Sequence, residues 1–308
     1  MLRGPLRSTI ELTYLCNQRC QYCYNPHHEG GFISKDTFYK SADEFIDSGV
    51  FCVSLAGGEP MLHPDFFEFY DYLADNCFEP PIILTNGSVQ TDTDIEHIKN
   101  RAKLHDVRIQ VSLDSLTPIE GMQNKNIGKT INFIEQLIEA GIKPSVGTVI
   151  TRLNIELIPD IIYKFKGKVR AYHLMAPQKF FHTKDFIEST QPSLEQVENI
   201  KGVIQQLSLL YHVEIEGGFD ESELENIDSS GCHSCIGCAA GHTKGVIDPD
   251  GNVLACEIIP SITLGNITNT SLSNIWNGEK AKYIRALDFP ICHDLKAISS
   301  VKRIIDNI

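Results

Sequence analysis

The chain has 308 residues, 42% hydrophobic and 22% charged, an ordinary globular composition. At ~150 residues per domain, this length predicts roughly two domains. With 27 Lys and Arg against 40 Asp and Glu, the formal net charge is −13. Such a surface repels nucleic-acid phosphates and anionic lipid headgroups, and it argues against both as partners. No apolar run approaches the ~20 residues that span a bilayer, and no apolar signal-peptide core follows Arg3 and Arg7. A cytoplasmic protein is expected, whose ten cysteines are thiols rather than disulfides.

The elements follow in chain order. Residues 9–13, 51–56, 81–85, 107–113, 145–150 and 169–174 are apolar runs of strand length, rich in Val, Ile or Leu. The stretches between them have helical patterns. Ser34 can cap a helix ending at Ser48, with Gly49 as its stop. Ile127, Ile131, Ile134, Leu137 and Ile138 repeat at a helical period, and Gly141 closes that segment. Six strands alternating with helices predict an α/β chain, a partial (β/α)6 TIM-like barrel over 1–215. The loops after the strands would form its active face.

From about Gly217 the pattern changes. Residues 243–247 and 252–255 read as a hairpin around Asp248-Pro249-Asp250-Gly251, which suits a type I turn. Residues 271–287 are helical by pattern, and lone Trp276 within them is expected in the core. Residues 216–308 are thus expected to form a small hairpin-plus-helix second domain, held by something other than a large core.

The cysteines are clustered. Cys16, Cys20 and Cys23 follow directly on the first strand as CxxxCxxC, a loop that supplies three thiolates and leaves a fourth position open. Soft thiolates select iron–sulfur clusters, zinc or copper. On a [4Fe–4S] cube, three ligands leave one iron free to bind a substrate or cofactor. Gly57-Gly58-Glu59-Pro60 follows the second strand, where paired glycines let backbone approach a ligand closely and the proline stiffens the exit. Near the other end, Cys232, Cys235 and Cys238 read CxxCxxC, and the hairpin can return Cys256 beside them. That pattern alone fits a zinc ribbon as well as an iron–sulfur site.

Together these residues resemble the radical S-adenosylmethionine (radical SAM) superfamily. The resemblance includes Tyr22 before the third cysteine, Thr85-Asn86-Gly87 after the third strand and Ser112-Leu113-Asp114 at the fourth. Thr151 and Asn154 after the fifth also match. It implies that Cys16, Cys20 and Cys23 hold a [4Fe–4S] cluster that binds S-adenosylmethionine. It further implies that the Gly57–Glu59 backbone and Pro60 shape the methionyl site, and that the Tyr22 backbone lies near adenine. Thr85, Asn86 and Asn154 would line the cofactor, with Ser112 or Asp114 near its ribose or carboxylate. The stretch Gln123-Asn124-Lys125-Asn126 lacks the arginine that related enzymes often place after the fourth strand.

The second group resembles the SPASM and twitch auxiliary-cluster domains, including Gly251, Gly265-Asn266-Ile267 and Ile275-Trp276. The complete SPASM pattern has further cysteines, whereas here Cys292 alone remains. The resemblance therefore implies one auxiliary [4Fe–4S] cluster on Cys232, Cys238, Cys256 and Cys292. Cys235 would be spare and could return a hydrogen atom to a substrate radical. Cys52 and Cys77 are expected to be structural. His27-His28 and the acidic run Glu221, Glu223, Glu225 and Asp228 read as solvated loop residues.

The implied activity is reductive cleavage of S-adenosylmethionine to a 5′-deoxyadenosyl radical that removes hydrogen from a substrate C–H bond. An electron donor such as flavodoxin or ferredoxin would serve it. The expected substrate is a ribosomally made peptide, to be crosslinked, epimerised or oxidised. A small molecule such as an aminosugar or nucleotide, acted on by a dehydrogenase or cyclase, is the alternative. A non-enzymatic zinc-binding protein is a more distant one. With the first strand beginning near residue 8, leader recognition is expected from a separate protein or from the barrel mouth.

Overall fold

The computed structural model describes residues 2–23, 25, 30–120, 122, 126–175, 189–216, 239–287 and 295–308. Its first elements are β1 (Arg7–Thr13), α1 (Lys35–Ser48), β2 (Cys52–Gly57), α2 (Phe66–Asn76), β3 (Ile82–Thr85), α3 (Asp92–Ala102) and β4 (Arg108–Ser112). Next come α4 (Ile127–Glu139), β5 (Ser145–Val149), α5 (Ile158–Phe165), β6 (Ala171–Met175), α6 (Leu194–Tyr211) and β7 (Glu214–Glu216). The last are β8 (Lys244–Ile247), β9 (Asn252–Leu254), β10 (Thr263–Asn266), α7 (Leu272–Trp276), α8 (Glu279–Arg285) and α9 (Leu295–Asn307). The chain divides into two compact units, one of 1–16, 27–83 and 231–308, the other of 17–26 and 84–230.

In the first unit β1 pairs in parallel with β2 on one side and with β8 on the other, Ile10 lying opposite Leu55 and Ile247. Strand alternation then sends Ile10, Leu12, Val53, Leu55 and Ile247 to one face, where all are fully buried. Helix α1 covers apolar surface with Phe38, Ala42 and Phe45, and Phe38 stacks on Phe69 of α2 at 3.8 Å between ring centroids. The Ser34 hydroxyl accepts from Thr37 N, and Gly49 ends the helix at φ 73°. The hairpin forms as expected: β8 and β9 are antiparallel, and Gly251 N donates to Asp248 O at 2.9 Å. It continues the β1 sheet. Trp276 is buried against Gly245, where an added Cβ would sit 3.1 Å from the indole. The helical pattern over 271–287 resolves into two helices, α7 and α8, interrupted at Asn277 and Gly278.

In the second unit β4 to β7 run parallel in sequential order. Helix α4 starts at Asn126, whose side chain accepts from Lys129 N, and buries Phe133, Ile134 and Leu137. Helix α6 begins with a reciprocal capping box between Ser193 and Gln196. The α/β class with a parallel sheet agrees with the sequence reading. A short strand outside the apolar runs, β7, pairs in parallel with β6. Its three residues, Glu-Ile-Glu, are too few and too acidic to stand out as an apolar run.

Candidate functional site

In the first unit, β1 delivers the chain to Thr13, Tyr14, Leu15 and Cys16. The buried Thr13 hydroxyl fixes this exit by donating to Gly31 O at 3.1 Å and accepting from Leu15 N at 3.0 Å. The end of β2 runs close against it. Gly58 N donates to Thr13 O at 2.7 Å and Glu59 N to Leu15 O at 2.8 Å. A Cβ on Gly57 would lie 2.2 Å from Thr13 O, and one on Gly58 2.1 Å from Leu15 O. The paired glycines, expected to admit a ligand, are needed first for the chain's own backbone. Glu59 is fully buried, and its carboxylate accepts from Met61 N to cap the 3-10 turn Pro60–Leu62.

In the second unit, the next stretch of the cysteine loop is tied to the turn after β3. Asn17 Nδ2 and Gln18 Nε2 both donate to Ser88 Oγ, at 2.9 and 3.1 Å. Asn86 Nδ2 donates to Asn17 Oδ1 at 2.8 Å, while Asn86 Oδ1 accepts from Ser88 N and Oγ. Thr85 Oγ1 accepts from Gly87 N, and Gly87 turns the chain at φ 66°. Sequence reading singled out Thr85 and Asn86 but missed Asn17, Gln18 and Ser88. Their only signal was polarity beside a glycine turn.

A second network joins the ends of β4 and β5. The Tyr22 hydroxyl donates to Asp114, whose other oxygen accepts from Val149 N at 3.0 Å. Burial, and then the neighbouring Asp114 carboxylate and Cys20, hold the Tyr22 phenol well above its ordinary range. Asn154 is fully buried. Its amide donates to Asp114 O at 3.1 Å and Val149 O at 2.9 Å, and its oxygen accepts from Thr151 N and Oγ1. Asn154 thus clamps both strand ends. Ser112 is half-buried at the end of β4, in register with Gly147.

Cys16, Cys20 and Cys23 are half-buried, and Cys23 N donates to Cys20 O at 3.1 Å to close a tight turn. Among the described residues no three His, Cys, Asp or Glu side chains converge as a metal site. The donor set itself, three thiols in one loop, fits an iron–sulfur group. Cys256 is half-buried just past β9, with Sγ 3.6 Å from Glu257 Oε2. Cys232, Cys235, Cys238, Cys292, His27, His28, the acidic run 221–228 and residues 123–125 lie outside the described residues. Cys52 is buried, and burial followed by the proximity of Cys52 pushes the Cys77 thiol up to about 11, an unreactive state.

Two family models match the chain. Residues 10–162 match the radical SAM superfamily, and residues 238–294 match SPASM, an iron–sulfur cluster-binding domain. The chain belongs to the radical SAM superfamily. As a radical SAM protein with a SPASM domain, it uses a [4Fe–4S] cluster, S-adenosylmethionine and an auxiliary iron–sulfur cluster. It is 27% identical over 285 residues to the subtilosin biosynthesis protein AlbA of Bacillus subtilis, covering 89% of this chain and 60% of AlbA. It is 26% identical over 293 residues to the mycofactocin maturase MftC of Mycobacterium ulcerans, covering 89% of this chain and 75% of MftC. The chain therefore spans about three fifths of AlbA. Its fold is similar to that of Streptococcus suis SuiB bound to the precursor peptide SuiA. That match has a TM-score of 0.75 at 16% identity, over 92% of this chain and 67% of SuiB. No helix among the described residues is long and apolar enough to cross a membrane.

Proposed function

We propose that this chain is a radical SAM enzyme that modifies a ribosomally made peptide. The observation that carries the reading is the CxxxCxxC loop at the exit of β1, braced within a matched radical SAM domain. AlbA and MftC, named for bacteriocin biosynthesis and mycofactocin maturation, support the peptide as substrate class. We assign 1–215 to the radical domain and 216–308 to the auxiliary domain.

Cys16, Cys20 and Cys23 hold the first cluster, and Cys232, Cys238, Cys256 and Cys292 the auxiliary one. When bound, the first cluster supplies the electron that splits S-adenosylmethionine, yielding a 5′-deoxyadenosyl radical that takes hydrogen from a substrate C–H bond. The chain's own residues bind and orient. Backbone carbonyls within Gly57 to Glu59 would accept from the methionyl ammonium, since Gly58 N and Glu59 N already donate to Thr13 and Leu15. Pro60 fixes the exit of that turn. The Tyr22 backbone would lie near adenine, and Ser112 or Asp114 near the ribose or carboxylate. Thr85, Asn86 and Asn154 keep those strand ends rigid. Cys235 is the spare thiol, which would give its hydrogen atom to a substrate radical and return from thiyl to thiol with one electron from the flavodoxin- or ferredoxin-type donor and one proton from solvent. A donor such as flavodoxin or ferredoxin delivers electrons, and a cytoplasmic setting keeps the thiols reduced.

Metal and sulfide analysis after anaerobic reconstitution tests the ligand sets. The wild type should hold about eight iron and eight sulfide per chain, and the Cys16→Ala/Cys20→Ala/Cys23→Ala variant about four of each. Zinc without sulfide in the wild type overturns the reading.

A further inference from the structure

Strand β1 carries a residue that its surroundings do not explain. Ser8, Ile10 and Leu12 point to the packed apolar face, so Thr9, Glu11 and Thr13 point to the opposite one. On that face Glu11 lies in register with Ala56 of β2, which offers no polar atom. On its other side, β8 and the turn after it bring Lys244 and Asp248.

Each charged group around Glu11 is already engaged. Lys244 pairs with Glu257 at 2.5 Å. Asp248 accepts from Asn252 N, Asn252 Nδ2 and Asp250 N at 2.8 to 3.0 Å, and Tyr14 also hydrogen-bonds to it. Glu11 has only 6% of its surface exposed, and among the described residues its carboxyl makes no hydrogen bond or ion pair. Burial, then the nearby Glu257 and Asp248 carboxylates, raise it to about 8, with Lys244 offsetting only part. A buried polar group without a partner is costly, and each one calls for an explanation. No helix cap, turn or ion pair uses this one.

We propose that Glu11 is an anchor for a cationic nitrogen of the substrate, a primary amine or a guanidinium, bound on the polar face of β1 and β8. The inference rests on the peptide-modifying reading, in which a Lys or Arg side chain or a free amino terminus supplies that group. Two observations favour a cation over a neutral ligand. The local balance is three carboxylates against one ammonium. Glu11, the carboxyl with no hydrogen bond or ion pair among the described residues, is nearly as buried as Asp248, and a cation held there would pair with it at low effective dielectric.

The test uses the anaerobically reconstituted wild type, Glu11→Gln and Glu11→Leu, with n-butylammonium and n-butylguanidinium as probes. Sodium at matched ionic strength and n-butanol serve as controls. One of the two cations should raise the wild-type Tm by about 2 °C or more, and neither variant should respond. n-Butanol should shift none of the three. Absence of a cation-specific shift in the wild type overturns the inference, as does an equal shift in the variants. 5′-Deoxyadenosine formation by the wild type, measured on the same samples, reports separately on the parent reading. If it forms while the probes do not bind, the anchor alone is wrong.

Discussion

Gly58→Ala isolates the steric requirement at the centre of the site. The new Cβ would lie 2.1 Å from Leu15 O and 2.5 Å from both Leu15 C and Tyr14 O, all of them backbone atoms that cannot rotate aside. Relief requires β2's exit to move off the cysteine loop. That movement breaks the bonds from Gly58 N to Thr13 O and from Glu59 N to Leu15 O. At about 1 kcal/mol per hydrogen bond and about 1–3 kcal/mol for overpacking, the cost is about 3–5 kcal/mol. That is a large share of a domain's stability of about 5–15 kcal/mol. Thermal unfolding of the reconstituted protein should show a Tm lower by about 6 °C or more, and titration should show weakened S-adenosylmethionine binding. Gly49→Ala is the control. Gly49 has a positive φ, 73°, but its added Cβ meets nothing within 4 Å, so only about 1 kcal/mol should be lost and cofactor binding should be kept. If the two variants lose equally, or if Gly58→Ala binds the cofactor as the wild type does, the steric reasoning is refuted.

Asn154→Ala should destabilise the protein by about 3 kcal/mol, because it strips partners from buried groups at both strand ends; an unfolding midpoint in urea unchanged from wild type would contradict this. Glu11→Gln should alter stability with pH in a defined direction. The folded protein raises this carboxyl from 4.5 to about 8, so it favours the protonated form. The wild type therefore loses stability as pH climbs from about 4.5 towards about 8, by at most about 5 kcal/mol. The variant should show a flatter profile and a higher Tm at pH 8, and a wild-type-like slope would exclude burial of a titrating Glu11. Tyr22→Phe should lower stability by about 1–2 kcal/mol, since Asp114 stays buried and loses its phenol donor; equilibrium unfolding reads this directly.

Much of this architecture was legible because its signals are local. Apolar runs marked β1 to β6 to within about two residues, and Ser34, Gly49 and Gly141 marked helix ends through caps and backbone conformation. The cysteine spacings and the glycine pair were equally local. What escaped depends on partners far along the chain. Residues 9–13 read only as an apolar strand, with no sign that Glu11 would be enclosed by β8, which pairs with β1 from more than 200 residues later. Asn154 was marked by the resemblance, but its clamp on Asp114, 40 residues earlier, has no local signal. The glycine pair was found for an incomplete reason, since its closest neighbour is the cysteine-loop backbone.

The most direct measurement is anaerobic incubation of the reconstituted protein with S-adenosylmethionine and a strong reductant, followed by quantification of 5′-deoxyadenosine. The account predicts 5′-deoxyadenosine and methionine in equal amounts from the wild type, and none from the Cys16→Ala/Cys20→Ala/Cys23→Ala variant. No 5′-deoxyadenosine from a wild type carrying its full iron, or continued formation by the triple variant, would contradict it.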